Sequence, residues 1–172
     1  MNVCVFCASS DQIDPVYRQM AVELGDGLLE QSWGLVYGGS DCGLMKVLAE
    51  TMMTGGGEVQ GIIPQLIADR GKCAPGISKL VIAADMKERK SMLRDSADAF
   101  IALPGGWGTL EEVTEVITLK QIGEHNKPVI FLKTGGFYDR FFEFITHAWQ
   151  EGFISEKYKH LYAVVRDSRE AI

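Results

Sequence analysis

The sequence predicts an α/β protein with a doubly wound, Rossmann-like parallel β-sheet that has helices on both faces. Apolar runs rich in β-branched residues alternate with helical patterns along the chain. These runs are continuous, which is typical of parallel strands that are buried on both sides. Glycines cluster where the runs end and helices begin. No repeat or linker divides the 172 residues, so we expect a single domain spanning residues 1–172.

The strands are expected at the short apolar runs that are bounded by polar residues or glycine. VCVFC, at 3–7, is the first and is apolar throughout, as expected of a central strand. The remaining strands are expected at 35–37, 59–63, 79–84, 99–103, 129–132 and 161–165.

The helices are expected where apolar residues recur at helical spacing. In the segment 17–31, Met20, Leu24 and Leu28 lie four residues apart and form one apolar face. The other helical segments are 44–53, which glycines 55–57 end, then 85–98, 109–123, which closes with glycine, and 138–152.

Composition and charge exclude several classes of partner. The net charge of −6 argues against a nucleic acid or a membrane surface as the main partner. The N-terminus has no basic region before its short apolar run, so we expect a cytoplasmic protein without a signal peptide. The four cysteines are expected to stay reduced. Cys4 and Cys7 form a C-x-x-C, but residues three apart on a strand point to opposite faces, so we expect no metal site.

Small residues follow three of the predicted strands. The segments are CASS at 7–10, YGGSDCG at 37–43 and LPGGWGT at 103–109. Carboxyl ends of parallel strands lie at one edge of a sheet, where ligands of doubly wound folds bind. We therefore expect a binding crevice there, with Ser9, Ser10, Gly38 and Gly39 among its residues.

The segment 103–109 is predicted to hold a phosphate. Gly105, Gly106 and Gly108 allow the backbone to approach a ligand closely. Thr109 suits the N-cap of the following helix, whose free amides and dipole favour an anion. The Walker loop needs a lysine after its glycines, and the dinucleotide fingerprint needs a third glycine at Glu111, so neither motif fits.

Two carboxylates follow the glycines. Glu112 stands three residues after Thr109 and is expected on the same side of the helix, whereas Glu111 is rotated away. We expect the helix end and a nearby cation to hold Glu112 ionised, which suits a base or an electrostatic stabiliser. Alternatively, either glutamate could only stabilise the helix, through the favourable interaction of a negative charge with the helix N-terminus.

Arg89 is expected on the inward face of the helix at 85–98. It lies on the stripe formed by Met86, Met92 and Leu93, and Lys90 is adjacent. An inward arginine needs an anionic partner, which Glu112 or a bound phosphate would supply. The alternative is an arginine whose stem packs while its head reaches water.

These segments carry a resemblance to a known family. PGGWGTLEE, at 104–112, matches the P-G-G-x-G-T-x-x-E signature of the LONELY GUY (LOG) family, the cytokinin riboside 5′-monophosphate phosphoribohydrolases. DMKERKSM, at 85–92, resembles the arginine-lysine segment of that family, and the likeness extends over nearly the whole chain. This chain departs from the family at three places. Lys87 stands where the family often has histidine, Ser40 where it often has glycine, and CASS at 7–10 where it often has C-G-S-S.

The resemblance implies a nucleotide-binding enzyme that cleaves the N-glycosidic bond of a nucleoside 5′-monophosphate, with cytokinin riboside 5′-monophosphate or AMP as substrate. It implies Arg89 and Glu112 as the catalytic residues, no metal or other cofactor, and a homodimer. The candidate substrate-binding residues are Lys90, Gly105, Gly106, Trp107, Gly108, Thr109, Leu110, Glu111, Thr118, Ser9, Ser10, Gly38 and Gly39. Trp107 could flank the ligand or pack on a partner subunit, and packing is favoured.

Two other functions remain open at this point. Molybdenum-cofactor carriers of the same broad fold hold a phosphorylated ligand without hydrolysing it. Proteins of this type have also been labelled lysine decarboxylases, a chemistry that needs a lysine in a Schiff base with pyridoxal phosphate. Lys90 is expected to be the only lysine near the site, and a cation beside it could lower its pKa.

Overall fold

A parallel β-sheet of seven strands forms the centre of the molecule. The computed structural model describes residues 1–172. The strands are β1 (Asn2–Phe6), β2 (Gly34–Tyr37), β3 (Val59–Pro64), β4 (Lys79–Ala83), β5 (Ala99–Ala102), β6 (Val129–Leu132) and β7 (Ala163–Val165), in the spatial order β4-β3-β2-β1-β5-β6-β7. The chain reverses its direction of winding at β1, which pairs with β2 on one side and β5 on the other.

The helices connect these strands and cover both faces of the sheet. They are α1 (Pro15–Glu30), α2 (Gly43–Thr54), α3 (Gln65–Ala68), α4 (Met86–Asp95), α5 (Trp107–Gln121), α6 (Asp139–Gln150) and α7 (Ser168–Ala171). Side-chain caps fix the start of two helices that flank the site: the carboxylate of Asp14 accepts from the amide of Val16, and that of Asp85 from the amide of Glu88. The predicted doubly wound α/β fold is confirmed.

Two apolar cores lie on opposite faces of the sheet. One is formed largely by α1 and α2 against the strands, and Leu24 and Leu48 are fully buried in it. The other lies under α4 and α5, with Leu93 and Val113 at its centre. Cys4 packs in the second core and Cys7 in the first, which confirms that the two thiols face opposite sides of β1.

The structure corrects some predicted boundaries. α5 begins at Trp107, because the extended backbone of Gly106 serves as its N-cap and the carbonyl of Gly106 accepts from the amide of Leu110 at 3.0 Å. The four-residue helices α3 and α7 and the 3₁₀ turns at Thr134–Gly136 and Glu156–Tyr158 were not predicted. Elements this short do not complete an apolar repeat that sequence analysis can detect.

Candidate active site

A cavity of about 550 Å³ opens at the carboxyl edge of the sheet, beside the point where the winding reverses. The segments after β1, β2 and β5 all contribute to its wall, so the predicted crevice is present. The predicted site residues that line it are Ser9, Gly38, Arg89, Gly106, Trp107, Gly108, Thr109, Glu111 and Glu112.

Another cavity, of about 630 Å³, lies between α1 and α7. Its wall includes Glu23, Asp26, Glu30 and Asp167, with Arg169 as its only cation. Since carboxylates repel an anion, the cavity at the carboxyl edge of the sheet is the better site for a phosphorylated ligand.

The start of α5 forms the part of the cavity wall that is best suited to an anion. The first amides of α5 have no partner within the helix, and Gly106, the N-cap, has no side chain that could accept from them. A methyl group added at Gly106 or Gly108 would meet no protein atom within 4 Å. The Cα hydrogens of both glycines therefore face open space, where a phosphate can approach the amides and the positive end of the helix dipole.

The predicted role of Thr109 as N-cap is wrong. Thr109 is the third residue of α5, is 3% exposed, and has its side chain against Gly105, where a methyl group would overlap the hydroxyl. The bare backbone of Gly106 replaces it as the cap. Gly105 is thus needed for the packing of Thr109 beneath the loop.

Arg89 and Glu112 form a buried ion pair. Nη1 of Arg89 donates to Oε1 of Glu112 at 2.6 Å, and Nε donates to the carbonyl oxygen of Ile62 on β3 at 3.0 Å. The two side chains are 10% and 12% exposed. This confirms the inward position of Arg89 and its carboxylate partner. The predicted stripe is wrong at Met86, which is 47% exposed because it stands at the cavity rim in the first turn of α4.

Burial raises the pKa of the Glu112 carboxyl above its ordinary value, and the Arg89 guanidinium opposes this rise. The sequence led us to expect that the helix end and a cation would hold this carboxylate ionised. These two charges would lower the pKa, but the net shift is upward, because removal from water disfavours the charged form more strongly than one cation favours it. A carboxylate with a raised pKa is a stronger base than an exposed one.

Lys90 lies outside the cavity wall, in a network of charges between α4 and α5. Its ammonium contacts Glu111 at 2.5 Å and Glu115 at 3.1 Å, and Arg94 contacts Glu115 at 3.0 Å. The hydrogen bond that the ammonium donates to the Glu111 carboxylate raises the pKa of Lys90. The predicted lowering of this pKa by a neighbouring cation is therefore wrong, because two carboxylates lie closer.

Five further candidate residues also lie off the cavity wall. Ser10 and Gly105 line a separate apolar groove of about 270 Å³. Gly39 has a φ of +74° and packs its backbone against β3. Leu110 packs partly into the core beneath α4 and α5, and the exposed Thr118 donates its hydroxyl to the carbonyl of Thr114 at 2.8 Å.

One part of the wall was not predicted from the sequence. Arg70 and Lys72 reach the cavity from the segment between α3 and β4. This segment is held against the turn after β2, since the amide of Asp41 donates to the carbonyl of Lys72 at 2.9 Å and that of Ala74 to Gly39 at 3.0 Å. The expectation that Lys90 is the only lysine near the site is wrong, and no local pattern in the sequence marked Lys72.

No cluster of three or more histidine, cysteine, aspartate or glutamate side chains has a geometry that could hold a metal ion. None of the helices combines the length and the hydrophobicity that crossing a bilayer requires.

Comparison with known proteins places this geometry in a family. The cytokinin riboside 5′-monophosphate phosphoribohydrolase LOG7 of Arabidopsis thaliana is 42% identical over 171 residues, which are 99% of this chain and 79% of that protein. The chain belongs to the LOG family. The LOG protein of Oryza sativa subsp. japonica, a cytokinin riboside 5′-monophosphate phosphoribohydrolase, is also 42% identical over 171 residues, 99% of this chain and 71% of its own length. The family described as "Possible lysine decarboxylase" matches residues 45–172.

Solved structures support the fold of this LOG-family chain. The molybdenum cofactor binding protein of Rippkaea orientalis superposes with a TM-score of 0.74 at 19% identity, covering 99% of this chain and 91% of that one. The molybdenum cofactor carrier protein of Chlamydomonas reinhardtii gives a TM-score of 0.72 at 21% identity, with coverage of 99% and 92%. At these identities the likeness bears on the fold alone.

Proposed function

We propose that this chain hydrolyses the N-glycosidic bond of a nucleoside 5′-monophosphate to give a free base and ribose 5-phosphate. The relatives at 42% identity are named as enzymes of this type, acting on cytokinin riboside 5′-monophosphate. The observation that carries the proposal is the buried pair of Arg89 and Glu112 on the wall of a cavity whose other wall is the start of α5.

Glu112 is the residue that acts on the sugar. As the C1′–N bond breaks, its electron pair goes to the base and C1′ becomes electron-poor, as in other glycoside hydrolyses. The carboxylate stabilises this positive charge and accepts a proton from the water whose oxygen bonds to C1′. The leaving base takes up one proton at its nitrogen, so that the OH of the water ends on C1′ and its H on the base. The raised pKa of Glu112 favours this proton acceptance.

Arg89 orients Glu112 and offers a donor to the substrate. Two of its nitrogens bond to Glu112 and to the carbonyl of Ile62, so the guanidinium is fixed between α5 and β3. Nη2 has no acceptor within the protein, and the side chain lines the cavity. This nitrogen is the donor available to a ribose hydroxyl or phosphate oxygen.

The start of α5 binds the 5′-phosphate through its free amides. The binding energy of this remote group positions the sugar against Glu112, so turnover as well as affinity depends on it. The remaining candidate contacts at Ser9, Trp107 and Glu111 line the same cavity. Trp107, 89% exposed, is free either to flank a ligand or to pack on another subunit.

The experiment that tests the function is incubation with AMP, other nucleoside 5′-monophosphates, N6-prenylated AMP and adenosine, with released bases separated by chromatography. We expect base release from one or more monophosphates and little from adenosine. The same assay is run on Glu112→Gln, and its matched control is Glu143→Gln, which alters an exposed glutamate on α6 that does not line the cavity. Binding of nucleotides without release of any base would support the carrier function and contradict hydrolysis.

A pyridoxal phosphate decarboxylase is a poorer fit to the site. Schiff-base formation needs an unprotonated lysine, whereas Lys90 is paired with two carboxylates that favour its ammonium form. Lys72 lines the cavity but is exposed. An absorbance spectrum of the purified protein distinguishes this chemistry, because a bound Schiff base of pyridoxal phosphate absorbs at longer wavelengths than the protein itself.

We further propose that the protein is a cytoplasmic homodimer. Large apolar side chains are exposed on or next to the helices that share one face of the sheet: Met86 on α4, Trp107 on α5, Ile122 directly after α5, and Phe144 on α6. A second copy would cover this surface. Light scattering should give twice the chain mass of 19.0 kDa, and Ile122→Glu should lower it. A monomeric mass at micromolar concentration would contradict the dimer.

A further inference from the structure

Gly38, the first residue after β2, packs directly against the guanidinium of the catalytic pair. A Cβ built on its backbone would lie 2.7 Å from Nη2 of Arg89 and 2.9 Å from Sδ of Met45. Both distances are shorter than real carbon contacts. The backbone of Gly38 does not have a positive φ, so conformation alone does not require glycine there. The requirement is for space.

Arg89 has little freedom to give that space. Nε is held by Ile62 and Nη1 by Glu112, on two different elements, and the side chain is nearly buried. Only Nη2 lacks a protein acceptor, and this is the nitrogen that lies against Gly38. A side chain at position 38 would push the guanidinium away from Glu112 and also cover the donor that faces the cavity.

We propose that Gly38 is a positioning residue: its missing side chain lets Arg89 lie against the turn after β2 with Nη2 open to the cavity. Gly38 then acts through Arg89 and not through a bond of its own to the nucleotide, which is the role the sequence predicted. The steric part of this proposal stands independently of the reaction, and its effect on turnover rests on the proposed function.

A thermodynamic cycle tests the steric part without any activity measurement. The melting temperatures of the wild type, Gly38→Ala, Arg89→Ala and the double variant are compared. We expect Gly38→Ala to lower the melting temperature by roughly 2–12 °C, the range for overpacking in a chain of this size. In the Arg89→Ala chain the obstructing group is gone, and the flexible end of Met45 can move aside. The decrease in melting temperature caused by Gly38→Ala should therefore be at most half as large in the Arg89→Ala background as in the wild type. Equal losses in both backgrounds would overturn the proposal.

The pH profile of turnover tests the effect on the pair. The charged and titratable groups that face Glu112 are Arg89 and Lys90 from α4, Glu111 from α5, and the thiols of Cys4 on β1 and of Cys7 directly after it. Of these, Arg89 opposes the raised pKa of the carboxyl most strongly. Displacing the guanidinium should move the acid limb of kcat/KM to higher pH.

Gly38→Ala is expected to lower kcat roughly tenfold to a hundredfold, as a displacement of about 1 Å in a catalytic group does. Gly34→Ala, at the other end of β2, is the matched control: its Cβ would overlap the side chain of Asn2 at 2.5 Å and touch the carbonyl oxygen of Glu58 at 3.8 Å, both outside the cavity. It should keep the wild-type kcat and acid limb. A rise in KM alone, with kcat and acid limb unchanged, would identify Gly38 as a direct substrate contact instead. Absence of base release by the wild type would refute the proposed function and leave the melting cycle decisive.

Discussion

Replacement of Arg89 by methionine should destabilise the protein by an amount that depends on pH. Methionine approximates the volume of the arginine stem, so the main change is loss of the cation beside Glu112, whose side chain is 12% exposed. The carboxyl must then either remain ionised without its partner or take up a proton.

The free-energy cost of each choice determines how much the variant is destabilised. An unpaired charge left by breaking a buried pair costs about 3–5 kcal/mol, and we take the lower end because part of Glu112 reaches solvent. Keeping the carboxyl protonated costs about 1.4 kcal/mol for each pH unit above an unfolded pKa of about 4.3. That amounts to about 1 kcal/mol at pH 5 and about 5 kcal/mol at pH 8. The cheaper choice therefore costs about 1 kcal/mol at pH 5 and about 3 kcal/mol at pH 8.

The sign follows from linkage. The folded pKa of Glu112 lies above its unfolded value, so the folded state binds the proton more tightly. This contribution favours folding at low pH and is lost as the pH rises through the folded pKa. Arg89 lowers that pKa, so its removal raises the pKa further and makes the stability depend more strongly on pH. The variant should thus lose more stability, relative to the wild type, at pH 8 than at pH 5.

Urea unfolding of both proteins at pH 5 and pH 8, followed by circular dichroism, measures the difference. We expect the destabilisation to be about 2 kcal/mol larger at pH 8, which corresponds to about 4–8 °C in melting temperature for a chain of this length. The double variant Arg89→Met, Glu112→Gln has no carboxyl to titrate and should lose this pH dependence. The same destabilisation at both pH values would refute the reasoning.

Three further predictions concern the carboxylate and the loop. Glu112→Gln should lower kcat at least about a hundredfold while the circular dichroism spectrum is retained; near-normal turnover would remove Glu112 from the mechanism. Gly106→Ala should leave the melting temperature unchanged, since its methyl group meets no protein atom, but should weaken AMP binding in calorimetry; wild-type affinity would argue against a phosphate at this turn. Gly105→Ala should cost about 1–3 kcal/mol of stability, because its methyl group overlaps the buried Thr109 hydroxyl; an unchanged urea midpoint would contradict that packing.

The parts of the structure that could be predicted from the sequence are those with a regular pattern. Continuous apolar runs predicted the strands. The position of Arg89 four residues before Leu93 correctly predicted that the arginine lies on the buried face of α4. An inward cation needs an anion, which left Glu112 or a bound phosphate as the expected partner of Arg89, and the structure pairs it with Glu112. These inferences depend on period and charge, which the sequence carries directly.

The parts that could not be predicted depend on details of the backbone and of burial. Several glycines in a row leave the start of a helix undefined, so the cap was assigned to Thr109 and not to Gly106. Arg70 and Lys72 reach the cavity because a distant segment bonds to the turn after β2, and no periodicity records such a contact. The direction of the Glu112 pKa depends on how completely the carboxyl is desolvated, which only the packed structure determines.

The ion pair of Arg89 and Glu112 is better explained by chemistry than by stability. Bringing two charges into a nearly dry site costs about as much as their attraction returns, and two apolar side chains of similar volume would often hold α4 against α5 at least as well. The Lys90 network already links the outer sides of these helices. What an apolar pair could not provide is a carboxylate of raised basicity and a guanidinium nitrogen without a partner, both facing a cavity that ends at a helix N-terminus. An arrangement that contributes little to the fold and offers a carboxylate, a donor and a helix N-terminus within one cavity suits the reaction proposed here, hydrolysis of the N-glycosidic bond of a nucleoside 5′-monophosphate.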